Sequence, residues 1–268
     1  MKLLRYISAA VIALVFLACT GAAWLAPADY AHQFREAPNS PPSPQFWLGT
    51  DELGRDRFSR VLYGGRISML LAPAAAALST LLAGLIGGVA GFFGGRWERL
   101  AMAGTDLFLS LPWMFLLLSV RAVLPLNVDA ATSVLVTFAL LGTLGWAASA
   151  RVICAGTRSL RASDFVVTAR AAGCGNPRIL LRQVLPNLAP TMLAQFLIAV
   201  PVFILTEANL SMLGLGVSEP LPSWGGLLRE LENYAGLGAQ PWRLAPLVVV
   251  IIVVSAFQIV LARNEVTA

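Results

Sequence analysis

Charge is scarce in this chain of 268 residues: 12% are Asp, Glu, Lys or Arg, against about 25% in an ordinary soluble domain. Hydrophobic residues make up 57%, and the mean hydropathy is +0.75. One water-soluble core cannot hide so much apolar mass, which excludes a soluble enzyme. Disorder needs low hydropathy and high charge, so it is excluded as well. Histidine and lysine are nearly missing, with His32 and Lys2 the sole examples. The three cysteines, Cys19, Cys154 and Cys174, lack CxxC spacing, which removes a zinc or redox site from consideration. There is no GxxxxGK[ST] loop, so this chain has no Walker lysine for ATP, and neither HExxH nor GxSxG occurs. No catalytic, cofactor-binding or metal-ligating residue is expected, and no nucleic-acid partner. Energy for driven work would enter through another chain or through an ion gradient.

What is present is a polytopic membrane pattern. A spanning helix needs about 20 mostly apolar residues. Six segments qualify: Ile7–Ala26, Ile67–Gly95, Leu107–Leu126 (interrupted by Arg121), Ala130–Ala150, a stretch within Leu188–Leu210, and Leu244–Ala262. The expected fold is an all-α membrane protein of six transmembrane helices with both termini on one side. An anchor helix and external segment, residues 1–66, would precede a transmembrane domain over 67–268. Basic residues orient it. With the N-terminus cytoplasmic, the inner segments hold Lys2, Arg5, Arg96, Arg99, six arginines between Arg151 and Arg182, and Arg263, which is 11 of the 19 Lys and Arg. Lys2 and Arg5 ahead of a run ending at Cys19 also resemble a lipoprotein signal, but Phe16 fits that cleavage pattern poorly and a start-anchor helix is the reading adopted.

Glycines crowd the second segment. Gly84 with Gly88, and Gly87 with Gly91, form two GxxxG pairs that let helices approach closely, and packing within the chain is preferred over a dimer face. The inner stretch 151–187 is basic and patterned. Ser163 or Asp164 can cap a short helix running to Ala172, Gly173 can end it in the left-handed conformation, and Asn176-Pro177 can start a second helix over Arg178–Leu185. Two readings fit this helix–glycine–helix device: an amphipathic helix anchoring the loop at the interface, or a docking element for a soluble partner, with Phe165 as an aromatic knob. Glu207, with Asn209 beside it, is a candidate for the pathway or its outer gate, or else a hydrogen-bonded structural residue. Asp129 is the expected partner of Arg121. The Thr50–Arg60 segment, with Asp51–Arg55 and Glu52–Asp56 at i,i+4, reads as a solvated outer helix.

Three stretches together resemble the inner-membrane permease subunits of bacterial ABC importers for dipeptides, oligopeptides and nickel. The first runs Trp47-Leu48-Gly49-Thr50-Asp51-Glu52-Leu53-Gly54-Arg55-Asp56 and on through Leu62-Tyr63-Gly64-Gly65-Arg66-Ile67-Ser68. The second is Ala169-Arg170-Ala171-Ala172-Gly173 through Leu185-Pro186-Asn187. The third is Glu207-Ala208-Asn209-Leu210-Ser211-Met212-Leu213-Gly214-Leu215-Gly216, followed by Pro222-Ser223-Trp224-Gly225. The sequence departs from the general coupling motif at Val167-Thr168-Ala169, where Glu-Ala-Ala is usual, and it ends soon after Arg263.

The resemblance implies a type I-like permease fold with cytoplasmic termini, embedded in membrane lipid. It implies a second homologous permease, two ABC ATPase subunits and an external substrate-binding protein. Ser163, Asp164, Phe165, Ala169, Arg170, Ala171, Ala172 and Gly173 would form the helix seated in an ATPase groove, and Leu185 and Pro186 would close the motif. Phe165 would fill a pocket, Arg170 would pair with an acid, and Gly173 would supply the turn. Peptides, or related small cargo such as nickel complexes, would be carried. The competing function is an ion-gradient-driven secondary transporter, against which stand the lack of a repeat between the halves and of a midplane carboxylate pair.

Overall fold

In the computed structural model, the described residues are 2–123, 129–232, 238 and 240–262. Residues 124–126 of the third expected segment, and Arg263 with the tail after it, lie outside them. Every named element is helical. Helix α1 is Lys2–Thr20, followed by one turn, α2, Ala22–Leu25. An irregular external segment leads to α3, Arg57–Phe93, then α4, Gly95–Ser110, and α5, Trp113–Val123. Next come α6, Ala130–Leu144, α7, Ala147–Arg161, α8, Asp164–Ala171, and α9, Asn176–Ile179. A π-helical turn, Leu180–Val184, joins α9 to α10, Leu185–Met212. Helix α11, Trp224–Arg229, and α12, Ala245–Leu261, complete the described chain.

Among the described residues, five helical stretches are long and apolar enough to cross a membrane: Lys2–Thr20, Arg57–Phe93, Ala130–Arg161, Asn176–Met212 and Pro241–Leu261. Helices α4 and α5 form a sixth crossing only as a pair bent by 81°. The bend has a local cause. Pro112 disfavours the helical conformation at Leu111, which is extended at φ −79°, ψ 134°. The third segment is thus a broken helix where the hydropathy pattern suggested a straight one. Other boundaries differ from expectation as well: α1 runs Lys2–Thr20 where Ile7–Ala26 was expected, and α3 starts at Arg57, ten residues before Ile67. Helix α7 continues to Arg161, and the second inner helix never separates from the fifth segment. Pro186 and Pro190 cannot donate into the helix, and the π turn just before Pro186 absorbs part of that defect without ending it. The loop 151–187 is therefore mostly the inner ends of two long helices with α8 between them.

The chain forms two compact units. One comprises Met1–Pro73, Arg121–Phe138 and Val200–Ala268; the other comprises Ala74–Val120 and Ala139–Ala199. In the first, α1 packs along α12. In the second, the glycine pairs behave as anticipated for one face only. A Cβ on Gly91 would sit 2.5 Å from the Cys154 carbonyl oxygen, and one on Gly87 would run into that of Ala150, so these two let α3 lie against α7. Gly88 has no neighbour nearer than 3.9 Å to such a Cβ. Exposed ion pairs tie α4 to α7, Arg151 to Asp106 at 3.2 Å and Arg158 to Glu98 at 3.0 Å, each worth at most about 1 kcal/mol.

Candidate functional site

Helix α8 is held from beneath. Val166 and Ala169, three residues apart, are buried in a cluster with Phe92, Ile153, Ile179 and Val184, and half-buried Leu185 packs against the same cluster. Ser163 is the N-cap residue. Its carbonyl accepts from the Val166 N–H at 3.0 Å, while its hydroxyl donates to the Leu160 carbonyl instead of capping the helix. The exit is a full Schellman turn: Cys174 N–H to Ala169 O at 3.0 Å and Gly173 N–H to Arg170 O at 2.9 Å, with Gly173 at φ +79°. The second helix is capped by Gly175, one residue earlier than Asn176, with Pro177 in its first turn.

This anchoring sorts the expected docking residues. Asp164, Phe165, Arg170, Ala171, Ala172, Gly173 and Pro186 are exposed, whereas Ala169 is used internally. Phe165 is 40% exposed, and so is its neighbour Val167, at 55%, which the sequence reading passed over. The signal was available: with Val166 and Ala169 inward, helical spacing turns Val167 away from them and leaves Phe165 at the edge of the buried face. Among the described residues, Arg170 makes no ion pair with an acid. Its guanidinium lies 5.6 Å over the Phe92 ring, a cation–π contact that fixes its direction.

A second cluster gathers the first and third signature stretches. Glu207, on the outer part of α10, is fully buried. Its Oε1 accepts from Ser211 Oγ and Ser223 Oγ, both at 2.7 Å. Ser223 Oγ also accepts from the Gly226 N–H at 3.0 Å and so caps α11. Trp224, fully buried, donates from its indole to the Val61 carbonyl at 3.1 Å, and a Cβ on Gly65 of α3 would fall 2.8 Å from the ring. A Cβ on Gly225 would fall 2.6 Å from Ala208 Cα. Glu207 is thus hydrogen-bonded to two serines within the chain, while Asn209, two positions on, is exposed.

The Thr50–Arg60 segment is a correction to the sequence reading. Residues 50–56 are not helical, with Gly54 at φ +75°, and Asp51, Arg55, Asp56, Arg57 and Arg60 are all buried. Asp51 binds Arg55 at 2.7 Å and Arg60 at 2.6 Å. Both arginines reach Glu219, at 2.7 and 2.8 Å, and Arg57 binds Glu230 at 2.6 Å. Burial pushes the Asp51 carboxyl up, but the Arg55 N–H, the Arg55 guanidinium and the nearby Arg60 charge outweigh it, holding the group below the usual carboxylate range. For Arg55, burial is likewise outweighed, by Asp51 and Glu219, and its affinity for the proton rises. The partners Glu219 and Glu230 lie over 150 residues away, where no periodicity could reveal them. Arg121 is another correction. It is buried and donates to the Leu215 carbonyl at 3.0 Å and Ser133 Oγ at 3.1 Å, while Asp129 instead binds Thr132 at the start of α6.

Residues 66–264 match the family described as binding-protein-dependent transport system inner membrane component. The chain belongs to this family. It is a transmembrane permease subunit of an ABC importer and a multi-pass protein of the bacterial inner membrane, which sets aside the ion-gradient carrier. The permease is similar to the oligopeptide transport system permease protein OppC of Bacillus subtilis, 33% identical over 235 residues that cover 87% of this chain and 74% of that one. It is 34% identical over 219 residues to the di/tripeptide transport system permease protein DppC of Pseudomonas aeruginosa, covering 80% and 70%. A peptide permease protein of Brucella suis is 38% identical over 208 residues, covering 77% and 67%. Membership implies that the permease works with ABC ATPase and substrate-binding components.

Proposed function

We propose that this permease carries short peptides, pairs with a second homologous permease, and takes its drive from two ATPase subunits that engage α8. The names of its relatives support the cargo. The observation that carries the coupling assignment is the two-sidedness of α8: Val166 and Ala169 fasten it to the permease, while Phe165 and Val167 stay exposed beside a rigid Schellman exit. An amphipathic helix with its apolar residues presented outward fits a groove on another protein. Ser163, Asp164 and Arg170 to Gly173 shape that element, and Leu185 and Pro186 follow it within the continuous helix that makes the next crossing. ATP hydrolysis belongs to the partner chains, since this one has no phosphate-binding loop. Residues 1–66 serve as anchor and external segment, and 67–268 as the transporting domain with its inner loop.

The test is recovery of tagged chain from native membranes in mild detergent, with co-purifying chains identified by mass, beside uptake of a labelled dipeptide. A second permease and two ATPase chains, with ATP-dependent uptake, are expected. A chain recovered alone and monodisperse, or a complete complex that takes up no peptide, refutes the reading.

A further inference from the structure

Helix α9, the π turn and α10 run without a break from Asn176 to Met212. The mostly apolar part, Leu188–Leu210, gives about 34 Å of helical rise and alone covers a hydrocarbon core of roughly 30 Å. The inner end therefore projects. Along the axis Arg182 stands about 9 Å before Leu188, and Arg178 about 15 Å, whereas the headgroup layer adds only about 5–8 Å on each side. Both arginines are exposed and, among the described residues, neither side chain has a hydrogen bond or an ion pair. Their chain neighbours offer no counter-charge, since Asp164 is the sole acid between Arg151 and Thr206. Two other arginines of this inner stretch do have partners, Arg151 with Asp106 and Arg158 with Glu98. The pair is also fixed in place beside α8. Ile179 and Val184 are buried in the cluster that holds Val166 and Ala169, and α8 packs against both α9 and the π turn.

We propose that Arg178 and Arg182 form a cationic rim beside α8 that receives carboxylates of the ATPase. The ATPase surface that fits this permease is then an apolar groove for Phe165 and Val167, edged with Asp or Glu. This rests on the engagement of α8 by the ATPases given above and adds the chemistry of that partner. Two like charges four residues apart on one helix repel, and acids of a partner relieve the repulsion. Guanidinium groups bind carboxylates through short, charge-assisted hydrogen bonds. Depth separates this partner from an anionic phospholipid, which offers the same charge: lipid phosphates end with the headgroup layer, and Arg178 stands beyond it. The two parts of the surface have different tasks. Rim charges speed encounter and make it sensitive to salt, whereas desolvated apolar contacts set how long the complex lasts.

The test strips the ATPases from the complete importer, holds the permease pair in phosphatidylcholine nanodiscs, and follows ATPase rebinding. The doubly substituted Arg178→Gln, Arg182→Gln permease should rebind about fivefold more slowly at about 50 mM salt, the sum of two partly screened ion pairs. At about 500 mM salt the difference from wild type should vanish, because the charges are then screened. Phe165→Ala should instead speed release at both salt concentrations. The partner groups are identified by a zero-length carbodiimide crosslink. Lys2 is the sole native lysine, so Arg178→Lys and Arg182→Lys each place one new amine at the rim. A crosslink from either position to an Asp or Glu of the ATPase is expected, and none from wild type. Unchanged rebinding of the doubly substituted permease overturns the rim, and if Phe165→Ala still speeds release, the role of α8 stands. Crosslinks that reach only the second permease overturn the rim as well. A rebinding defect that appears only when phosphatidylglycerol is added overturns it in favour of lipid. If the ATPases do not rebind wild type, or if Phe165→Ala releases them at the wild-type rate, the reading of α8 itself falls.

Discussion

Two adjacent glycines of α11 provide a controlled test of the outer cluster. A methyl group at Gly225 would meet Ala208 Cα at 2.6 Å and the Glu207 carboxylate oxygens at 2.9 and 3.0 Å. The first of these is backbone and cannot swing aside. At Gly226 the nearest atom is Ser223 Oγ at 3.4 Å, an ordinary contact. For Gly225→Ala, overpacking costs about 1–3 kcal/mol. Displacing a hydrogen bond to the buried Glu207 carboxylate adds about 1.5–3 kcal/mol. The gain from replacing glycine in a helix offsets about 1 kcal/mol. The net is a loss of about 1.5–5 kcal/mol, which corresponds to roughly 3–20 °C in melting temperature for a domain of this size. For Gly226→Ala the same bookkeeping leaves only the helix gain, so its melting temperature should stay within about 2 °C of wild type or rise. The assay is heating of the purified permease in detergent, followed by size-exclusion chromatography of the surviving monodisperse fraction. Two variants that melt together would refute the claim that α11 touches α10 through Gly225.

Gly173→Val should insert normally and lose uptake. The Cβ meets nothing within 4 Å, so the cost is purely the left-handed backbone, about 1–2 kcal/mol, and Gly173→Asn should be milder. Phe165→Ala should weaken co-purification with the ATPases about tenfold or more with little change in thermal stability, because the side chain is exposed; unchanged attachment refutes its role. Asp51 sets a pH dependence. Its folded pKa is lowered, so its contribution is present above the unfolded value of about 3.9 and is lost as pH falls through the folded value. The stability difference between wild type and Asp51→Asn should therefore be flat from about pH 5 to 8 and shrink below about pH 4 in a series of thermal melts. A difference that grows on acidification would contradict the ion-pair geometry.

Helices whose burial follows composition were legible in the sequence. Helices α1, α10 and α12 needed only their apolar length, and α8 needed its cap and Gly173. Features decided by distant contacts were not. Asp51 and Arg55 do pair, yet through a tight loop and not across a helix turn, because Asp51 also binds Arg60 and Arg55 also reaches Glu219. The hydrogen bond from Ser223 to Glu207 could not be read from spacing, and Asn209 looks equivalent to Glu207 in sequence although it is exposed. The bend at Leu111-Pro112 was written locally but masked by the hydropathy of the segments on both sides. Val167 was overlooked because it stands where a different residue type is usual in the coupling motif.

The ion pairs of the external segment also set an order of events during synthesis. Arg60 precedes its partner Glu219 by 159 residues. At about 5–20 residues per second, the ribosome needs roughly 8–32 s to supply the second after the first. Through that interval Arg55, Arg57 and Arg60 stand outside the membrane with only Asp51 of their final carboxylates made, and the segment cannot take its finished shape. Closure of this network therefore marks arrival of the segment after the fifth crossing. A nascent chain that stalls before residue 219 remains distinguishable, by its open external segment, from one that has been completed.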